Sequence, residues 1–202
     1  MKQFLKAAIA AVALVVGSAS ALAANFSFTG NLAGDNSIKL FSFALASSSN
    51  VTLRTWSYAG GTNAAGSSIS AGGFDPIVSL FLGSGASALL IDANDDGLGV
   101  AIDPVTGNDF DSLLQAFALP AGTYTVALTQ SANFAIGPAL GDGFLGAGNT
   151  GFDGRTSAWA LDILGVNRAA SIPLPATLAL ALLGLVALSA TRRRASASTQ
   201  LA

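Results

Sequence analysis

A chain of 202 residues with no cysteine and no histidine has room for one core of ordinary size. It excludes disulfide stapling, Cys/His zinc sites, thiol nucleophiles and Ser-His-Asp catalysis. Half of the residues are hydrophobic (51%) and the formal charge is only −2, but the apolar excess and five of the nine cations sit at the two ends. Between Ala24 and Pro175 four cations face eleven acids, all of them aspartate, and this net −7 excludes a phosphate backbone as partner.

The first 23 residues have the three parts of a secretory signal: Lys2 and Lys6, an apolar run from Ala7 to Val16, and small residues ending in Ala21-Leu22-Ala23. Cleavage is expected after Ala23, with Ala21 and Ala23 as the small residues that signal peptidase reads, so the Sec machinery is an expected partner. The alternative is a permanent membrane helix, for which the run is short of the ~20 residues a bilayer demands.

From Asn25 the apolar period becomes two, which predicts strands. Phe26 and Phe28 alternate; Ile38 and Leu40 then shift phase to Phe41, Phe43 and Leu45, as a bulge or a strand buried on both faces requires. Further strands are expected over 51–58, 77–82, 88–92, 123–130 and 157–164, each bounded by turn residues such as Gly34-Asp35-Asn36 and Pro120-Ala121-Gly122. Only Asp111 to Leu119 reads as a helical turn or two. Long glycine-rich loops are expected over 60–73 and 137–156. The expected fold is all-β, a sandwich or jelly roll, occupying residues 24–170.

Two constellations in this region carry candidate chemistry. Asp92, Asn94 and Asp96, with Asp103 at the twelfth position from Asp92, follow the register of a calcium loop, in which hard oxygens converge around a turn that Gly97 permits. Asp75, Asp109 and Asp111 are candidate additional ligands, and the alternative is a hairpin turn capped by Asn, Asp and Gly. Trp56, Tyr58 and Trp159 form a candidate sugar-stacking platform, Trp56 and Tyr58 sharing a strand face with Thr52 and Arg54; the alternative is a place in the core. No catalytic residues are expected. Asp pairs can run glycoside hydrolysis, but that needs a sizeable cleft around a carboxyl of raised pKa.

Beyond residue 170, Pro173-Leu174-Pro175 blocks a helix until Ala176. The run from Leu178 to Ala190 is made almost wholly of Leu, Ala, Val and Gly, and Arg192, Arg193 and Arg194 stop it. If the run spans a membrane, the arginines stay cytoplasmic and residues 24–170 lie outside, in agreement with the N-terminal signal. Residues 171–194 are therefore read as a sorting and transmembrane segment, and 195–202 as a short cytoplasmic tail. The alternative, a buried core helix, is disfavoured by the absence of any amphipathic pattern.

The proline pair, the short Leu/Ala run and the arginine cluster resemble the PEP-CTERM sorting domain, whose tails are cut by an exosortase in bacteria that make exopolysaccharide. Here Leu174 stands where that family usually has Glu. A second resemblance covers Phe26 to Val166. Gly34-Asp35 before Leu40-Phe41-Ser42-Phe43, then Phe74-Asp75-Pro76, Asn94-Asp95-Asp96-Gly97 and the block Leu119 to Val126 are similar to the bacterial pre-peptidase C-terminal domain, a non-catalytic β-sandwich of secreted proteins. Together the resemblances imply an exported, non-enzymatic envelope or matrix protein, associated with exopolysaccharide or biofilm. A carbohydrate- or calcium-dependent binding module is the alternative, and a secreted hydrolase a weaker one.

Overall fold

The computed structural model describes residues 23–174. Ala21, Pro175, the apolar runs at both ends and the three arginines lie outside the described residues.

Within them the chain is antiparallel β-structure in eleven strands. These are β1 (Ala24–Asn31), β2 (Lys39–Leu45), β3 (Ser49–Thr55), β4 (Gly61–Thr62), β5 (Ser68–Ile69), β6 (Pro76–Leu82), β7 (Leu89–Asn94), β8 (Leu113–Leu119), β9 (Gly122–Gln130), β10 (Ala158–Val166) and β11 (Arg168–Ile172). A four-stranded sheet has the order β1-β10-β3-β8, a five-stranded sheet the order β11-β2-β9-β6-β7, and β4 with β5 forms a small hairpin.

Alternation decides which side chains meet. Phe41, Phe43 and Leu45 of β2, Val78 and Leu80 of β6, and Tyr124, Val126 and Leu128 of β9 pack against Val51 and Leu53 of β3 and Trp159, Leu161 and Ile163 of β10. This is the main core, and it lies between the two sheets. Tyr124 stacks on its cross-strand partner Phe43, ring centroids 5.0 Å apart, and its hydroxyl donates to the Pro120 carbonyl at 2.8 Å. The Pro-Ala-Gly turn before β9 is thereby tied to the strand it opens, as in a tyrosine corner.

The opposite face of the five-stranded sheet is also covered. Ile38, Leu40, Phe81, Ala127 and Ala88 of the β6–β7 turn make a second cluster with Leu140 and Phe144, which the loop of residues 131–148 lays across the sheet. The phase shift in β2 has its cause here: a strand with apolar neighbours on both faces reads as a continuous apolar run, and no register shift is present where β2 pairs with β9.

Two expectations are corrected. Residues 113–119 are not helical; they form an edge strand on β3, with Leu53 opposite Leu114 and Thr52 opposite Gln115. Pairing that buries Leu114 outweighs the helix preference of a Leu-, Ala- and Gln-rich segment. The folded unit also runs past residue 170, because β11 continues to Ile172 beside β2 and Leu174 packs on the second cluster.

Candidate metal centre

Three short segments meet at one end of the two-layer structure. Asp75 precedes β6, Asp95 and Asp96 follow β7, and Asp111-Ser112 precedes β8. Antiparallel pairing of β6 with β7 sets Val78 opposite Asn94, so the start of one strand lies beside the end of the other. The Ser112 hydroxyl ties the three together, lying 2.6 Å from the carbonyl oxygen of Pro76, 2.9 Å from that of Asn94 and 2.7 Å from that of Asp95. The Asn94 side chain accepts from the Leu113 amide at 2.8 Å and donates to the Asp96 carbonyl at 3.2 Å, which curls the chain after β7. Gly97 completes the curl: a Cβ there would come within 2.5 Å of the Leu113 nitrogen, so no other residue fits.

The result is a cluster of carboxylates. One oxygen each of Asp75, Asp95 and Asp96 lies within 4.8 Å of the others. Oδ1 of Asp75 and Oδ1 of Asp95 are shielded from solvent and have no hydrogen-bond donor. Burial pushes the Asp75 carboxyl up to about 8, and the charges of Asp95, Asp96 and Asp111 push in the same direction, against a smaller opposing pull from Arg155. Asp95 is raised to about 6, by burial first and the charge of Asp96 second; Asp96 is raised by burial and by Asp109. Like charges in a partly dry site oppose one another's ionisation. A hard divalent cation among them would reverse that penalty and give the two orphan oxygens a partner.

Arg155 braces the surrounding loops. Its guanidinium donates to the Gly73 carbonyl at 2.6 Å and the Tyr58 carbonyl at 2.7 Å, pairs with Asp103 at 2.5 Å, and lies 3.6 Å over the Tyr58 ring centroid. With Asp75, Phe110 and Gln130 it walls a cavity of about 40 Å³, room for one small ion or water.

The carboxylates expected from the calcium-loop register go to different places. Asp96 joins the cluster and Asn94 shapes its loop. Asp92 stays in β7, exposed, and accepts from the Ala93 amide at 2.9 Å; an extended strand holds it apart from the turn instead of curling it round an ion. Asp103 is buried against Arg155 and accepts from the Val105 and Thr106 amides, and the Arg155 hydrogen bond holds its carboxyl below the usual carboxylate range. Asp109 is exposed and bears on Asp96 through its charge. Asp111 is consumed elsewhere, accepting from the Thr55 hydroxyl and the amides of Ser57, Tyr58 and Ala59.

Nor do Trp56 and Tyr58 reach one surface. Arg54 lies 3.9 Å over the Trp56 ring, whose Nε1 donates to Asp162 at 2.7 Å, and Gly61 abuts the edge of its six-membered ring. Tyr58 is 5% exposed, enclosed by Arg155 and Phe110. The chain turns at Trp56, where β3 ends, and Asp111 caps that turn; the strand periodicity on which the platform rests stops there.

No protein-family model matches the chain, and no curated protein matches it.

Proposed function

We propose that this is a non-enzymatic, exported cell-surface or extracellular-matrix protein, delivered by Sec, trimmed by signal peptidase, and retained by a PEP-CTERM-like tail that an exosortase-like protease processes. The observation that carries this reading is where the described strands begin and end. The first strand opens at Ala24, directly after the expected cleavage position, and the last closes at Ile172, directly before Pro173. The folded unit therefore fits between two segments that have the sequence pattern of addresses. Its architecture supports the likeness to the pre-peptidase C-terminal sandwich, and exopolysaccharide is the surrounding in which such a module would work. Intact-mass measurement on the protein from its native host tests the reading. A chain starting at Ala24 and ending near Pro175 agrees with it; a mass that retains Met1 contradicts export by this signal, and one that retains residues beyond Pro175 contradicts tail processing.

A second reading has its own observation. Three converging carboxylates with two donorless buried oxygens favour a calcium-dependent module, in which Asp75, Asp95 and Asp96 would hold the ion and water would complete its shell. The ion would join the segment before β6 to the segment after β7 and so stiffen that end of the hairpin. Thermal melting with millimolar calcium tests this, and an unchanged midpoint would count against it.

A further inference from the structure

The loop that covers the five-stranded sheet is itself two-sided. Ala135 and Phe144 form an antiparallel bridge, flanked by hydrogen bonds from the Ile136 amide to the Gly143 carbonyl and from the Leu145 amide to the Phe134 carbonyl. Ala135 and Phe144 face the sheet and pack on the second cluster. In such a ribbon the neighbouring side chains point the other way, and here they are Phe134, Ile136 and Leu145, which are 36%, 57% and 55% exposed. Three large apolar side chains on one outward face are unusual for a loop. Across residues 131–148 the only ionisable side chain is Asp142, which is exposed and whose carboxylate accepts from the Ala139 amide at 2.8 Å. Apart from that one carboxylate the ribbon is uncharged, and it carries no cation.

The end of the described chain lies beside it. Ile172 and Leu174 pack on the same cluster that the ribbon covers, and only three residues separate Leu174 from the apolar run that begins at Leu178. Fully extended, that stretch spans roughly 10–14 Å, so a domain tethered by the run is held with this part of its surface close to the bilayer.

We propose that, as long as the tail is uncut, the outward face of the ribbon, Phe134, Ile136 and Leu145, rests in the interfacial layer of a lipid bilayer and fixes the domain's orientation on the membrane. The proposal rests on the reading of residues 178–190 as a membrane segment. Neutral, zwitterionic headgroups suit the face, since it carries no cation to recruit anionic lipid. The occupant is lipid rather than a second copy of the chain because the short tether would hold this surface beside a bilayer.

The chain has no cysteine, so a single environment-sensitive label can be placed without background. In the full chain reconstituted into phosphatidylcholine vesicles, a label on Ile136→Cys is expected to be quenched several-fold more by spin-labelled lipid than one on Gln115→Cys, which is exposed on the four-stranded sheet. Equal, weak quenching at both positions on protein that floats with the vesicles would overturn the proposal and leave the anchor standing. Protein that does not float would remove the anchor and the proposal together. Shielding of the Ile136 label in lipid-free solution that grows with protein concentration would identify a second copy as the occupant, and would also overturn it.

Discussion

Buried aspartates occur in two opposite settings in this protein. Asp111 and Asp162 are each 1% exposed, and their oxygens are supplied with donors: four for Asp111, and for Asp162 the Ser27 hydroxyl, the Trp56 indole and the Ala64 amide. Asp75 and Asp95 are less deeply placed, yet each has a shielded oxygen with no donor, and each carries a pKa raised by burial and by like charges. The first pair are anchors, which hold a turn and a hairpin by charge-assisted hydrogen bonds. The second pair, with Asp96, form the cluster that we propose as a cation site. Depth alone would penalise the first pair more; the supply of donors reverses that order.

The comparison predicts opposite outcomes for similar substitutions. Asp111→Ala strips the cap from residues 57–59 and leaves three amides and a hydroxyl without their acceptor, so the largest loss, about 4 kcal/mol, is expected in chemical denaturation. Less than about 1 kcal/mol would mean that the turn holds itself. Asp162→Ala should cost about 2 kcal/mol, because Ser27 and Ala64 lie nearer solvent and water replaces part of what they lose. Trp56 emission should shift at the same time, since its indole loses an acceptor.

Asp95→Asn should do the reverse. Without calcium it removes one of the repelling charges and stabilises the fold by about 1 kcal/mol, about 3 °C in melting temperature; a lower melting temperature would show Asp95 to be an anchor instead. Asp92→Asn, on the exposed strand, should stay within about 0.5 kcal/mol of the parent.

Acidity sharpens the same contrast. The folded carboxyls of Asp75 and Asp95 titrate at about 8 and about 6, above the unfolded value of 3.8, so the calcium-free fold binds more protons than the unfolded chain in that window. Its stability should therefore rise as pH falls through 8 and then 6. With calcium bound the carboxylates must stay ionised, and the stabilisation by the ion should shrink over the same range. Melting curves recorded with calcium and with chelator should converge on acidification; parallel curves would contradict a shared site.

Much of this was legible in the sequence. Apolar alternation and short apolar runs located β1, β2, β3, β6, β7, β9 and β10; β2, β3, β6, β9 and β10 bury at least one face, β1 is half-buried, and β7 is found although none of its residues is buried. It failed at β8, where Leu113, Leu114, Ala116 and Phe117 fall at helical spacing and Phe117 is left 72% exposed on an edge. It also missed β11, whose Arg-Ala-Ala-Ser-Ile has little pattern of its own and is fixed by pairing with β2. The site was half legible. Asp75-Pro76 and Asp95-Asp96-Gly97 stand out as strand boundaries, and recognising β6 and β7 as a hairpin would have set them side by side. A linear calcium-loop register pointed instead to Asp92 and Asp103, because spacing along one loop carries no information about a neighbour supplied by another strand.

Calorimetric titration of calcium into the parent, Asp95→Asn and Asp92→Asn proteins near pH 7.5 goes most directly to the claim that the donorless carboxylates are a cation site. One saturable site is expected in the parent and in Asp92→Asn, and none in Asp95→Asn. Absence of binding in the parent, or its loss in Asp92→Asn with retention in Asp95→Asn, would contradict the account.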